Sequence, residues 1–238
     1  MNVNTILKTD LCHHVFQPLY LLSDWRILGY EAFFRSNLMA NSHDVFSLAQ
    51  KTGTLYKLDT YAVSRALLTF SEETKGSGYF IFLNVFPSTL LHPSFFSYLD
   101  KLLKKISISC QQIVFEVIET EKIEDMKLFR EVICRLRNYG FYVAVDDIGK
   151  GVDDIQKVLE LEPHFIKLDR YFSVDLSKSP QKQKFIKLMI DFCRGTSHIV
   201  LEGIEKPVDL AMAKILGVPI AQGFLLEKPD LLRNVKLV

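Results

Sequence analysis

Along the chain, short apolar runs alternate with longer stretches in which apolar residues recur at helical spacing. The runs predict strands at His14 to Leu21, Ile27 to Phe34, Tyr79 to Val85, Ile113 to Ile118, Phe141 to Val145, Phe165 to Leu168, Ile199 to Leu201 and Val218 to Ala221. The helical stretches fall at about Leu55 to Phe70, Phe95 to Ile106, Lys122 to Tyr139, Asp153 to Glu160, Gln181 to Arg194 and Val208 to Leu216. Breakers separate them: Gly76-Ser77-Gly78, Gly140, Pro163, Gly195 and Gly217 each stand before a strand, where helix C-caps and αβ loops need them. Eight strands in βα alternation imply a closed (β/α)8 barrel or an open doubly wound sheet. No GxGxxG follows the first strand, which counts against the open sheet. Only a short turn around Ser23-Asp24 joins the first two strands, whereas parallel neighbours need a crossover of about a dozen residues or more. The pattern therefore predicts one α/β domain, residues 1–238, built as a barrel with one irregular antiparallel strand at its start.

Composition narrows the class without changing that picture. A chain of 238 residues suits a single barrel, a fold of about 250 residues. Hydrophobic residues at 48% and charged residues at 24% supply a sizeable core and exclude disorder. With 29 basic and 28 acidic residues the net charge of +1 argues against a binder of nucleic-acid polymers. No run approaches the ~18 uncharged apolar residues of a membrane helix, and the N-terminus lacks a basic region followed by an apolar one. A cytoplasmic location without membrane insertion is expected. Cys12, Cys110, Cys134 and Cys193 are scattered in apolar segments with no CxxC spacing, and read as buried reduced thiols. The 18 Phe and 9 Tyr read as core filling, the His13-His14 pair and the other histidines show no ligand spacing, and Lys178 to Lys187 reads as a solvated helix face.

The chemistry lies at the strand ends. Tyr142-Val143-Ala144-Val145 finishes on Asp146-Asp147, ahead of the turn Ile148-Gly149-Lys150-Gly151. Other strands contribute Gln17, Glu31 with Arg35, Asn84, Glu116 with Glu119, Lys167 with Asp169, Glu202 with Glu205, and Gln222. Each has an ordinary explanation alone. Glu31 or Glu116 could point outward, Asn84 could be a turn residue, Asp146-Asp147 could cap the next helix, Lys167 and Asp169 could form a structural ion pair, and Gln222 could satisfy backbone groups. Their joint occurrence on successive strands argues otherwise, because inward residues near the C-terminal ends of barrel strands converge. Glu31, Asn84, Glu116, Asp146, Asp147 and Glu202 would then form an oxygen-rich cluster. Such hard ligands suit Mg2+ or Mn2+, and the excess of acids favours two ions about 3.5 to 4 Å apart, an arrangement suited to phosphoryl displacement. Lys167 could position water, deprotonate it or stabilise negative charge, and Arg35 would suit a substrate phosphate.

Over essentially its full length, from Phe16-Gln17-Pro18 to Lys228-Pro229, the chain resembles the EAL domain, a bacterial family that hydrolyses cyclic di-GMP. The motifs are Glu31-Ala32-Phe33 followed by Arg35, Asn84, Phe115-Glu116-Val117-Ile118-Glu119, Asp146-Asp147-Ile148-Gly149-Lys150-Gly151, Lys167-Leu168-Asp169, Glu202-Gly203-Ile204-Glu205 and Gln222-Gly223-Phe224. The resemblance implies a modified (β/α)8 TIM-like barrel with an antiparallel strand, a centre of two Mg2+ or Mn2+ ions, and cleavage of cyclic di-GMP to linear pGpG. It implies metal ligation by Glu31, Asn84, Glu116 and Asp146, a second metal site at Asp146 and Asp147, and Glu202 as its supporting acid. Lys167 matches the residue that activates water, Gln222 belongs to the catalytic centre, and Gln17 and Arg35 match substrate contacts. Glu119 matches the anchor of the loop after Asp147, and Glu205 is counted with it as loop-anchoring.

Phe33 replaces the family's signature leucine, and Ile148 to Asp154 departs from the usual loop, which reads DDFGTGYSSL from the acid pair. That loop couples metal and substrate binding to a dimer contact, and Lys150 adds a cation to it. The altered loop motivates a second reading, a degenerate domain that senses cyclic di-GMP or meets a protein partner without turnover. Another barrel metalloenzyme acting on a different phosphodiester is a third reading, against which Gln17 and Arg35 count. A barrel of this size leaves no room for a sensory or cyclase domain, so regulation of a stand-alone domain is expected through a partner protein, a homodimer or expression level.

Overall fold

Strand order follows chain order around a closed barrel in the computed structural model, which describes residues 3–8, 11–39, 41–149 and 154–232. The strands are β1 (Cys12–Leu21), β2 (Ile27–Ser36), β3 (Phe80–Val85), β4 (Ile113–Val117), β5 (Tyr142–Ile148), β6 (Phe165–Leu168), β7 (His198–Leu201) and β8 (Ile220–Ala221). β1 runs antiparallel to both β2 and β8, and every other neighbouring pair is parallel. The reversal follows from the tight hairpin, whose turn is closed by Leu21 N donating to Arg26 O at 2.9 Å and Trp25 N to Leu21 O at 2.9 Å.

Outside the strands lie α1 (Val3–Lys8), α2 (Ser42–Lys51), α3 (Leu55–Glu73), α4 (Pro87–Leu91), α5 (Phe95–Leu103), α6 (Met126–Asn138), α7 (Asp154–Leu161), α8 (Arg170–Ser173), α9 (Pro180–Cys193) and α10 (Pro207–Leu216). All the expected strands and helices are present, with shifted ends. α6 begins at Met126 rather than Lys122, because the Asp125 carboxylate accepts from Leu128 N at 2.9 Å and fixes the cap there. α5 stops at Leu103 rather than Ile106. The strand expected at Phe141 to Val145 runs through both acids to Ile148. Four helices were not expected: α1, α2, α4 and α8. Of the cysteines read as buried, Cys134 is exposed on α6 and Cys110 is half-buried, while Cys12 and Cys193 are buried. Within the basic stretch Lys184 and Lys187 are solvated, but Lys182 donates to Tyr171 O at 2.5 Å and to Val174 O at 2.7 Å.

Side-chain alternation gives the barrel two stacked interior layers. The lower is apolar, made by Leu19, Phe82, Val114, Ala144, Phe165, Val200 and Ile220. Burial of each large member stabilises by roughly 1.5–3 kcal/mol. Two residues further toward the C-terminal mouth stand Asn84, Glu116, Asp146, Lys167, Glu202 and Gln222, and on reversed β1 Gln17 lies two residues before Leu19. The outer core fills the space between sheet and helices with Tyr30, Phe70, Phe95, Phe115, Phe129 and their neighbours. α1, α2 and α3 close a smaller cluster over one end of the hairpin, around Val45, Ala49 and Phe34.

Asp59 of α3 is buried, and its carboxylate accepts from Phe86 N at 2.9 Å, tying α3 to the turn just beyond Asn84. Burial pushes its carboxyl up to about 7, against the opposing pull of that N–H. The native state thus holds this proton more tightly than the unfolded chain, where the group titrates near 3.8. Stability from this residue is full below about pH 4, falls as pH rises, and levels off above about 7. We expect wild type to lose on the order of 4 kcal/mol relative to Asp59→Asn between pH 4 and pH 8, measured by urea unfolding. A pH-independent difference between the two would contradict the assignment.

Candidate metal centre at the barrel mouth

Lys167 stands at the centre of the polar layer. Its side chain is 1% exposed, and Nζ lies 2.9 Å from Glu31 Oε2, 2.9 Å from Glu116 Oε1, 3.3 Å from Asp146 Oδ1 and 2.8 Å from Glu202 Oε1. One ammonium therefore faces four carboxylates. Asn84 Nδ2 donates to Glu31 Oε1 at 3.0 Å, which leaves its carbonyl oxygen available to a cation.

Asp147 joins the site through a backbone irregularity. In a regular strand it would point away from Asp146, but the β5–β6 register shifts between Val145 and Ile148, and Asp147 adopts φ +57°. A bulge re-aims a side chain in this way, and aspartate tolerates the left-handed region better than most residues. As a result, carboxylate oxygens of Asp146, Asp147 and Glu202 lie within 4.8 Å of one another.

The acids crowd one another. Burial raises the Glu116 carboxyl well above its usual range, repulsion from Glu31 adds to this, and Lys167 opposes it. Burial likewise raises Asp146, and pushes Glu202 up to about 8, with Lys167 opposing in both cases. For Lys167 burial alone would favour the neutral amine, but attraction from Asp146, Glu116, Glu202 and Glu31 outweighs it and holds the ammonium well above its ordinary value. In this state Lys167 carries its proton and cannot accept one from water.

The residues fit a divalent cation. Glu116 Oε2 is buried without a hydrogen-bond donor among the described residues. Orphaned buried polar atoms are costly unless a ligand or ion completes them. The donor set is all oxygen, as Mg2+ and Mn2+ prefer.

Several simpler explanations are removed by position. Glu31 and Glu116 face the barrel interior, 3% and 0% exposed. Asp146 and Asp147 lie inside β5, well before α7, so they do not cap it. Asp169 caps α8, its Oδ1 accepting from Tyr171 N at 2.8 Å. Gln222 meets the backbone through its own N and O, bonded to Leu201 O at 3.0 Å and Ile204 N at 3.1 Å, while its side-chain Nε2 is buried without an acceptor among the described residues. Gln17, expected as a substrate contact, donates from Nε2 to Glu227 O at 2.8 Å. Glu205 pairs with Arg170 at 3.1 Å near the surface, and Glu119 is half-buried just beyond β4. Lys150 lies outside the described residues.

A cavity of 390 Å3 opens over this layer, lined by Glu31, Arg35, Asn84, Asp146 and Asp147 and walled by His14, His43, Phe46 and Phe86. Arg35 donates to Phe34 O at 3.0 Å, its guanidinium lies 5.5 Å from the Phe33 ring centroid, and it makes no ion pair among the described residues. Burial, with the positive charge of Arg65 next, pushes the His14 ring down to about 3, so it is neutral. His43 and Phe46 were missed with α2, although Asn41, whose side chain accepts from His43 N at 3.0 Å, gave a capping signal.

Fold and site together define a (β/α)8 barrel with one reversed strand and, at its C-terminal mouth, an acidic cluster that could hold a cation. The model of the EAL domain matches residues 3–229, and the chain belongs to that family. It is 27% identical to a cyclic di-GMP phosphodiesterase of Pseudomonas aeruginosa, over 92% of this chain and 38% of that protein. It is 26% identical to the blue light- and temperature-regulated antirepressor BluF of Escherichia coli, over 92% of this chain and 54% of BluF. The chain thus spans roughly a third to a half of these relatives. Klebsiella pneumoniae BlrP1, solved with manganese and cyclic di-GMP, superposes with a TM-score of 0.86 at 26% identity, covering 95% of this chain and 58% of BlrP1. No helix among the described residues is long and apolar enough to cross a membrane.

Removing the central ammonium leaves four carboxylates facing one another. Lys167→Met is expected to lose about 3–5 kcal/mol without divalent ions, and to recover most of it in Mn2+. Thermal melts in EDTA and in Mn2+ check this. A variant as stable as wild type in EDTA would show that the acids are neutralised in another way.

Proposed function

We propose that this barrel binds cyclic di-GMP across its mouth and hydrolyses it to linear pGpG with two Mg2+ or Mn2+ ions. The observation that carries the reading is the cluster of four carboxylates around Lys167, roofed by a cavity that exposes Arg35. Glu31, Asn84, Glu116 and Asp146 would hold one ion, and Asp146 and Asp147, supported by Glu202, the other. Bound there, such ions supply Lewis acidity and a more acidic water. The protein's own groups do the rest. Arg35 offers a planar fork of donors to a phosphate. Gln222, with its unspent amide, orients a polar group in the centre. Gln17, holding Glu227 O with one amide hydrogen, still has a second N–H and its Oε1 to offer a substrate. Lys167 neutralises the acids until cations take over that task, and only then does its proton become transferable. The family membership, the Pseudomonas relative and the BlrP1 complex support the same substrate.

A second reading, a sensor or protein-interaction module without turnover, is favoured by the altered loop after Asp147 and by kinship with an antirepressor. Incubation of the purified chain with cyclic di-GMP and Mn2+, with chromatographic separation of products, separates the two. The enzyme reading expects pGpG from wild type and none from Glu31→Ala. Unchanged nucleotide with tight binding would install the sensor reading, and neither binding nor cleavage would install the interaction module.

A further inference from the structure

α8 is a helix of only four residues, yet it touches both loops that carry the outer acids. Toward β5, Asp169 N donates to Ile148 O at 3.3 Å, directly after Asp147. Phe172 packs on Gly149 so closely that a Cβ added there would sit 2.3 Å from the ring's Cε2. Toward β7, Ser173 Oγ lies 3.0 Å from Gly203 O, directly after Glu202, and 3.0 Å from Arg170 O, so its one proton is shared between the helix and the β7 loop. Gly203, at φ +67°, lies under Arg170, where a Cβ would be 2.4 Å from Arg170 Cγ, and Arg170 pairs with Glu205 at 3.1 Å. The helix is itself held firmly. Phe172 stacks on Phe185 with centroids 4.7 Å apart and planes 9° from parallel, and Ser173 is 2% exposed.

The two glycines allow these approaches, and both follow site acids in sequence. We infer that α8 is a clamp, with Phe172 and Ser173 as positioning residues that set the distance between the Asp146-Asp147 bulge and Glu202. Those acids make up the carboxylate triad whose oxygens lie within 4.8 Å. The inference rests on the metal reading of that triad and extends it, since neither residue contacts a cation or substrate. Groups that orient metal ligands commonly govern affinity by about 10–100-fold.

The test is Mn2+ binding alone, followed by electron paramagnetic resonance, in wild type, Ser173→Ala, Phe172→Leu and the control Ser71→Ala. Ser71 is also buried, its hydroxyl 3.0 Å from that of Ser107, and lies on α3 outside the cavity lining. Melting temperatures are measured in parallel. Both α8 variants should bind Mn2+ about tenfold more weakly with a broadened bound-ion spectrum, while Ser71→Ala loses stability but keeps wild-type affinity. Phe172→Leu carries the test if Ser173→Ala does not fold. Wild-type affinity in the folded α8 variants, or equal weakening in Ser71→Ala, overturns the clamp alone. Absence of Mn2+ binding by wild type overturns the metal reading and the clamp with it.

Discussion

Mutual repulsion among buried carboxylates, held in check by one ammonium, is the constraint on which the barrel mouth depends. Glu31, Glu116, Asp146 and Glu202 all reach Lys167 within 3.3 Å, in a space that the apolar layer closes from below and that opens toward the mouth. Like charges so placed are tolerated only if protons, a cationic side chain or metal ions compensate them. Burial first, and repulsion from the neighbouring acids after it, raises the carboxyls of Glu116, Asp146 and Glu202, with Lys167 opposing in each case. Under the proposed metal reading, the same arrangement makes Lys167 an electrostatic stand-in for the cations.

The supporting fold serves this constraint in three ways. Parallel strands of matched register place their inward polar residues at one level. The bulge in β5 converts two consecutive acids into neighbours on one side. The hairpin reversal brings Gln17 opposite Glu31, so that β1 can reach the mouth although it runs the other way.

Much of this was legible in the sequence because local patterns carry it. The eight strands follow from their apolar runs, the reversed first strand from the short turn at Ser23-Asp24, and the inward set from Glu31 to Gln222 from the recurrence of polar residues at successive strand ends. What stayed hidden depends on exceptions or distance. Asp147 stands in the expected cluster, but the bulge that brings it there against the alternation is not visible in residue order. α8 is too short for helical periodicity, although it contacts both acid-bearing loops. Gln17 spends its amide on Glu227, 210 residues away, a contact no local pattern announces. Cys134 sits in an apolar segment, yet on the solvent face of its helix.

The central claim is that these acids are an ion-holding centre whose charge Lys167 balances when the ions are away. Anomalous X-ray scattering from crystals grown with Mn2+ addresses it most directly. The account expects two peaks about 4 Å apart, one among Glu31, Asn84, Glu116 and Asp146 and one among Asp146, Asp147 and Glu202, with the Lys167 ammonium drawn away from at least one carboxylate. Crystals that show no peak at the mouth, with Lys167 still bonded to all four acids in saturating Mn2+, would contradict it.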